Sequence, residues 1–196
     1  MPTQLTTLDV WNGALDHISE QPVNDTMENT TYTRWIKRNY NNLLDAELRA
    51  NPWNFAVTYH ELTPVATPPL FRWSAKFQLP TNALRFLPPT YEGVRTADTI
   101  PHEIAGDELY MNSDGKQFLR CISRIVEPGR WDPMFAEMFM ASLALKMTIK
   151  FTAKAEYFKI VQALYSQLKQ QAIYTDALEG SAEPVEQMDV INVRYR

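Results

Sequence analysis

The spacing of apolar residues changes twice along this 196-residue chain, and the two changes divide it into three parts. In residues 5–52 and again in 130–179, apolar side chains recur every three or four positions, which is the period of an amphipathic helix. Between them, from Phe55 to Val126, the period falls to two, as in half-buried strands. Because both ends are helical, we expect the ends to pack together with the middle as an insertion.

Two helices are predicted before residue 52. The first begins at the capping sequence Thr6-Thr7-Leu8-Asp9 and ends at Pro22. Its apolar face contains Leu8, Trp11, Leu15 and Ile18. The second helix runs from Asn29 to Asn51, because Pro52 forces the residue before it out of the helical region. Its basic and amide side chains lie away from its apolar face.

Two further helices are predicted after residue 130. Asp132 is expected as the N-cap and Pro133 as the first residue of a helix that is apolar nearly all round. Such a helix is predicted to be the central, buried one. The last helix ends near Glu179 and has one apolar face: Tyr157, Val161, Leu164 and Leu168. No Gly or Pro marks the boundary between these two helices, near residues 150–153.

Prolines cut the middle of the chain into short segments: Pro64, Pro68, Pro69, Pro80, Pro88, Pro89 and Pro101. This pattern favours short edge strands and turns and excludes a long parallel sheet. One strand is predicted from the alternation of Trp73, Ala75, Phe77 and Leu79 with polar residues. The clearest predicted hairpin joins Glu108–Met111 to Phe118–Ile125 through the turn signal Asp114-Gly115.

These elements predict an α+β fold, a helical bundle formed by the N- and C-terminal helix pairs with a β-rich insertion between them. The bundle takes in residues 5–52 and 130–179, and the insertion takes in 53–129. Residues 180–196 form an extended C-terminal tail. That tail cannot fold alone, so it either frays or becomes ordered against a neighbouring protein.

Composition and charge exclude several classes of protein. A hydrophobic fraction of 45% is too high for a disordered chain, and a net charge of -4 argues against a dedicated nucleic-acid binder. The single Cys121 excludes an internal disulfide and a cysteine-based zinc site. We expect no membrane span, since one needs about 20 consecutive apolar residues. No signal peptide is recognisable at the N-terminus.

A search for catalytic residues finds no convincing set. His17 is expected on the polar side of the first helix, and His60 and His102 each stand beside a glutamate that points to the opposite face of a strand. No second ligand stands at a metal-binding spacing, and no glycine-rich phosphate loop occurs. We therefore predict no catalytic residue, no cofactor and no metal. Cys121 is expected to be a buried, unreactive thiol.

Two other chemical interpretations remain open. Asp107 and Glu108 could be the carboxylate pair of a small hydrolase acting on cell-wall glycan, although charged residues at a hairpin are more often solvated. The aromatic rings of Trp73 and Phe77 could stack the bases of a single-stranded nucleic acid, with Arg72 and Arg85 nearby. The simpler interpretation of these aromatics is that they belong to the core.

The sequence Ala50-Asn51-Pro52-Trp53-Asn54-Phe55-Ala56 marks the corner where the second helix ends. Pro52 stops the helix and Asn54 suits a turn. We expect Trp53 and Phe55 to anchor the start of the insertion against the bundle. Trp131 and Phe135 occupy the equivalent corner at its end.

The order of these landmarks resembles the tail tubular protein A family of short-tailed, podovirus-type bacteriophages. The matching segments are Asn12–Leu15, Asn51–Ala56, Phe77–Pro80 with Leu84-Arg85, Glu108–Tyr110 and Trp131–Phe135. The resemblance runs from about residue 5 to residue 178. Two departures are visible: Ser19-Glu20 follow Ile18 where a glycine is common, and the turn between the last two helices is short.

The resemblance implies a structural virion protein of the tail or neck, made in the host cytoplasm, and not an enzyme. Proteins of this family are adaptors that form a dodecameric ring between the portal protein and the tail nozzle protein, and they also carry tail fibres. DNA passes through the lumen without specific binding, and net acidity suits such a conduit because a basic wall would hold phosphates. The resemblance also implies that the tail docks on the portal, through Val190, Ile191, Val193, Arg194, Tyr195 and Arg196.

Overall fold

The structure is a computed structural model that describes residues 4–90, 100–151 and 155–179. It is a mixed α and β protein with helices at both ends of the described chain. The helices are α1 Thr7–Asp16, α2 Thr31–Ala50, α3 Pro133–Phe151 and α4 Ala155–Glu179. The strands are β1 Val57–Leu62, β2 Ala75–Gln78, β3 Ala83–Phe86, β4 His102–Ala105, β5 Glu108–Met111 and β6 Gln117–Ser123. A short 3-10 turn stands at each junction, at Asn54–Ala56 and Pro128–Arg130.

The strands form two small antiparallel sheets. The first has the order β1-β6-β3 and the second the order β2-β5-β4. Apolar side chains of both sheets form one core cluster, which includes Phe77, Leu109 and Cys121. Ile122, next to Cys121 on β6, instead belongs to the cluster of the helices. Because neighbouring strand residues face opposite ways, the first sheet has one face toward the second sheet and one toward the helices.

The predicted hairpin between β5 and β6 is wrong. Both strands exist, but β5 pairs with β2 and β4, whereas β6 pairs with β1 and β3. Since β5 is paired on both sides, it has no free edge for β6. The true hairpin joins β4 to β5 through Gly106-Asp107, and Gly106 has a φ of 59°. A glycine at the first of two loop residues is the signature of a type II′ turn.

The cap residues predicted for three helices are confirmed. Thr6 and Asp9 form a reciprocal capping box at the start of α1. Asn51, directly before Pro52, is the extended C-cap of α2. The carboxylate of Asp132 accepts hydrogen bonds from the backbone N–H groups of Met134 and Phe135, at 2.8 and 3.1 Å. These ends follow from local sequence because each cap satisfies N–H or carbonyl groups of its own helix.

The first helix ends earlier than Pro22, in a left-handed turn at Ser19, whose φ is 58°. The backbone N–H of Glu20 donates to the carbonyl of Leu15 at 3.1 Å, and that of Ser19 to Asp16 at 3.0 Å. These two bonds define a Schellman motif, which normally has glycine at the left-handed position. Ser19 therefore occupies the position where a glycine would be unstrained.

Helix α3 lies at the centre of the helical layer, as its apolar composition predicts. It packs against α1, α2 and α4. Its middle is buried on all sides, from Met138 to Ala144. Gly13 lets α1 approach closely, because a Cβ at that position would lie 2.4 Å from the sulfur of Met140.

Candidate functional surfaces and the polar network beneath them

The four aromatic residues predicted at the two corners of the insertion lie in one cluster. The ring of Phe135 is 5.1 Å from Trp53, 5.0 Å from Phe55 and 5.4 Å from Trp131, centroid to centroid. All three contacts are edge-to-face, the arrangement that aromatic quadrupoles favour. The segments just before the first strand and just before α3 thus both pack on Phe135, which is fully buried in the first turn of α3.

Hydrogen bonds join this corner to α2 and α4. The indole N–H of Trp53 donates to the carbonyl oxygen of Glu47 at 3.0 Å. The backbone N–H of Asn54 donates to the carboxylate of Asp176 at 2.8 Å, and its side-chain amide donates to the Asp176 carbonyl at 2.5 Å. The end of α4 is therefore attached to the start of the insertion.

A buried carboxylate connects three helices. Glu47 on α2 accepts hydrogen bonds from the hydroxyl of Ser142 on α3 at 2.7 Å and from the hydroxyl of Tyr165 on α4 at 2.8 Å. The ammonium group of Lys169 lies 3.1 Å from the second carboxylate oxygen and donates to the Tyr165 hydroxyl at 2.7 Å. The side chain of Glu47 is only 8% exposed, so these partners replace the water it loses.

The protonation of Lys169 follows from its partners. Burial, the largest single effect, lowers the pKa of Lys169, but the hydrogen bond to Tyr165 and the charge of Glu47 outweigh it and raise the pKa above its ordinary value. Burial also raises the pKa of Tyr165. At neutral pH the network therefore contains a charged Lys169 ammonium group and a protonated Tyr165 phenol. Both groups donate hydrogen bonds that hold the buried Glu47 carboxylate between the three helices.

The histidines lie in separate local environments. His17 is half-buried at the end of α1, so the expectation of a solvated ring is wrong, and its Nε2 atom is enclosed without a hydrogen-bond partner among the described residues. His60 Nε2 lies 3.0 Å from the hydroxyl of Thr58, and His102 Nδ1 lies 2.8 Å from the carbonyl of Ile100. No group of His, Cys, Asp and Glu in the described ranges could hold a metal ion.

One of the two carboxylates of the hydrolase interpretation is engaged in other contacts. Glu108 lies 2.7 Å from the Lys76 ammonium and accepts a hydrogen bond from Tyr110. The bond from Lys76, and then that from Tyr110, lowers the pKa of Glu108. A general acid needs the opposite shift. Asp107 stands in the β4–β5 turn.

The aromatic pair of the nucleic-acid interpretation is divided between core and surface. Phe77 is fully buried between the sheets, so its ring is closed to a base. Trp73 donates its indole N–H to Glu103 at 3.0 Å, and the guanidinium of Arg72 lies 4.7 Å from the Trp73 ring centroid. Arg85 donates to the carbonyl of Arg49. A stacking platform built on Trp73 and Phe77 is therefore wrong.

A proline-rich loop beside the second sheet exposes two large apolar side chains. Leu70 is 96% exposed and Phe71 is 79% exposed. The loop borders a surface cavity of about 290 Å³, also lined by Trp73 and Tyr110. Exposed apolar side chains at such a tip are typical of a contact with another protein.

The outer side of α4 is a second exposed apolar surface. Ile160, Tyr174 and Leu178 are each about two thirds exposed. At 3.6 residues per turn, positions 160, 174 and 178 lie along one stripe. The predicted apolar face of α4 adjoins this stripe, about a quarter turn away around the helix, and there Val161 is buried and Tyr157, Leu164 and Leu168 are half-buried. Helix α4 therefore has a face on α3 and a second apolar stripe open to solvent.

Sequence reasoning missed Glu47, Lys169 and Asp176. A signal existed for Glu47, which lies between Leu43, Leu44 and Leu48 on the apolar side of α2, where a charge needs a buried partner. Nothing local could identify that partner on α4. The six tail residues from Val190 to Arg196 that were predicted to bind a partner lie outside the described residues.

Comparison of the sequence with protein-family models and with curated proteins gives no match. None of the helices in the described ranges is both long and apolar enough to cross a membrane.

Proposed function

We propose that the protein is the ring-forming adaptor of a short-tailed bacteriophage, placed between the portal protein and the tail nozzle protein. In this proposal the helical bundle of residues 5–52 and 130–179 builds the ring wall, and the β-rich insertion of 53–129 projects from it. Twelve copies enclose a lumen that the genome crosses, and tail fibres bind the outside. The protein is a virion component without enzymatic activity.

The observation that carries this proposal is the second apolar stripe of α4. Tyr174 and Leu178 are 67% and 66% exposed, although the same helix is already packed on α3. A monomeric protein rarely leaves such side chains open next to one another, whereas an assembling protein covers them with a neighbour. Leu70 and Phe71 provide a separate apolar contact, on the insertion.

Charge and the tail support the same assignment. A net charge of -4 is compatible with a conduit through which phosphates must move without being held. The tail of 180–196 follows α4 directly, so the stripe on α4 and the tail can form one continuous contact with the portal. We assign the apolar part of that contact to Ile191 and Val193, supported by the charges of Arg194 and Arg196.

Electron microscopy of the purified chain, alone and mixed with the portal protein of the same phage, tests the proposal. We expect twelve-fold rings seated on the portal. A chain lacking residues 181–196 should keep the thermal melting curve of the full chain but dock more weakly. No association with the portal at micromolar concentration would overturn the proposal.

A matched pair of variants separates apolar contact from charge. Ile191→Asp with Val193→Asp should weaken portal docking strongly, whereas Gln187→Asp with Asn192→Asp adds the same charge and should have little effect. Equal losses from both pairs would contradict an apolar contact by the tail.

A further inference from the structure

The exposed face of α2 carries positive charge only. Its exposed charged residues are Arg34, Lys37, Arg38 and Arg49. The acidic residues of this helix, Asp45 and Glu47, are instead engaged with Arg124 and Lys169. An outer helix face without a single carboxylate is unexpected on a chain with more acidic than basic residues.

The end of α3 extends this face. Lys150 lines the same surface hollow of about 440 Å³ as Arg34, Lys37 and Arg38, and Lys146 lies one helical turn before it. The edge-to-face rings of Trp35 and Phe151, 6.2 Å apart, line that hollow. We call Arg34, Lys37, Arg38, Lys146 and Lys150 the cationic face. None of its five residues forms an ion pair within the described part of the chain.

The complementary charge stands on the same chain. The first 33 residues contain no Lys or Arg, and they hold five carboxylates: Asp9, Asp16, Glu20, Asp25 and Glu28. We call these five residues the acidic edge. Asp9, Asp16 and Asp25 are exposed, and Glu20 and Glu28 are half-buried. None of the five pairs with a basic side chain among the described residues.

We infer that the cationic face of one copy docks on the acidic edge of a second copy of this chain. Each copy then carries both halves of the contact, five cations and five carboxylates, and neither half forms an ion pair within the described part of one copy. A contact between two different surfaces of identical chains is heterologous, and it closes into a ring when the rotation permits. The inference rests on the ring assembly proposed above and assigns its electrostatic interface.

A second copy fits this face better than a nucleic acid does. Glu20 and Glu28 line a hollow of about 480 Å³ together with Arg34, so negative charge directly adjoins the cationic face. That charge, with the net charge of -4, would repel an approaching polyanion. The same negative charge does not repel a second copy of the chain, because a second copy presents a positive surface as well as a negative one. Charge complementarity of this kind sets the choice of partner and the register of docking.

Charge reversal tests the inference on the full-length chain. Arg34→Glu, Lys37→Glu and Arg38→Glu together should weaken self-association by at least tenfold, measured by sedimentation equilibrium at low salt. The matched control is Lys116→Glu, Arg130→Glu and Lys159→Glu, which makes the same change in net charge at other exposed positions. That control should associate as the unmodified chain does. Assembly on the portal is scored for the same proteins by electron microscopy.

A complementary variant excludes misfolding as the explanation. Asp16→Lys, Glu20→Lys and Asp25→Lys together should also fail to associate, because the former acidic edge then has three lysines against two carboxylates and both surfaces are basic. Mixing this variant with the triple α2 variant should restore association, since a reversed α2 face can then meet a reversed acidic edge. Restoration would show that both variants are folded.

The outcomes separate this inference from the proposed function. Normal rings from the triple α2 variant would overturn the interface and leave the adaptor function standing. Closed dimers that charge reversal dissolves would support the interface and contradict the ring. A third result would identify a nucleic acid as the partner of the cationic face. In that case the unmodified chain binds duplex DNA in a salt-sensitive way, the triple α2 variant loses this binding, and self-association is unchanged.

Discussion

The indole N–H of Trp53 donates a hydrogen bond to the main-chain carbonyl of Glu47, at 3.0 Å. The side chain of that same Glu47 accepts hydrogen bonds from Ser142 on α3 and Tyr165 on α4. One residue of α2 therefore joins the first corner of the insertion to two other helices.

Replacing Trp53 by alanine should lower the free energy of unfolding by about 3–5 kcal/mol, the usual cost of removing a large buried aromatic. The side chain is 1% exposed, and its loss would also remove the ring contact with Phe135. Urea denaturation followed by far-UV circular dichroism measures the change. Trp73→Ala is the matched control at a half-buried position and should cost about 1 kcal/mol or less. An unchanged urea midpoint for Trp53→Ala would contradict an anchoring role.

Lys169→Met should lower the free energy of unfolding by about 2 kcal/mol, because it leaves the buried Glu47 carboxylate without its cation. The double variant Glu47→Gln with Lys169→Met should recover part of that loss, since no unpaired charge remains. Chemical denaturation of the two single variants and the double variant gives the coupling energy. Strictly additive costs would mean that the 3.1 Å contact contributes nothing.

Ser19→Gly should stabilise the protein by about 1 kcal/mol, because a non-glycine residue in the left-handed region costs roughly 1–2 kcal/mol. The gain is reduced by loss of the 3.2 Å contact between the Ser19 and Tyr157 hydroxyls. A rise in thermal midpoint measures it. Ser19→Ala is the control, since it loses the same hydroxyl without relieving the backbone. A glycine variant no more stable than the alanine variant would argue against backbone strain at Ser19.

Tyr40→Phe should raise stability by about 1 kcal/mol, because a buried hydroxyl without a partner carries an uncompensated desolvation cost. The Tyr40 hydroxyl is enclosed and finds no hydrogen-bond partner among the described residues, and burial raises its pKa. Tyr165→Phe is the contrasting variant, since its hydroxyl bonds to Glu47, and it should destabilise. Destabilisation by Tyr40→Phe would reveal a bound water or another partner.

The thiol of Cys121 should make stability depend on alkaline pH. Burial raises its pKa from 9.0 to about 11. As the pH rises from 9 toward 11, the unfolded chain loses a proton that the folded chain keeps, so stability falls with rising pH. Urea denaturation across this range should show a smaller decline for Cys121→Ala than for the unmodified chain. Parallel pH profiles would mean that the thiol titrates normally.

The sequence predicts the helices well because their ends depend on neighbours in sequence. Thr6 and Asp9 satisfy each other, and Pro52 acts on the residue directly before it. The strand partners were not predictable in this way. Asp114-Gly115 reads as a hairpin turn, yet both edges of β5 are taken by β2 and β4, which only the full sheet reveals.

The candidate surfaces were predictable only in part. The burial of Phe77 was predictable from its alternation with polar neighbours. The same alternation predicted that Trp73 lies in the strand, but Trp73 precedes β2 and is half-buried. The charge segregation between the acidic edge and the cationic face is visible in the sequence. Whether the segregated charges form exposed surfaces depends on which side of α2 packs against α3. Tertiary packing determines that side, and the local sequence does not.

The central position of α3 also determines when the chain can fold during synthesis. Helices α1 and α2 both pack on α3, which begins only at Pro133. Likewise β1 pairs with β6, and the bonded hydroxyls of Thr58 and Ser123 are 65 residues apart. Such distant contacts slow folding, since loop closure precedes their formation. A nascent or truncated chain that stops before Pro133 therefore exposes the apolar faces of α1 and α2, and we expect it to aggregate or to require a chaperone.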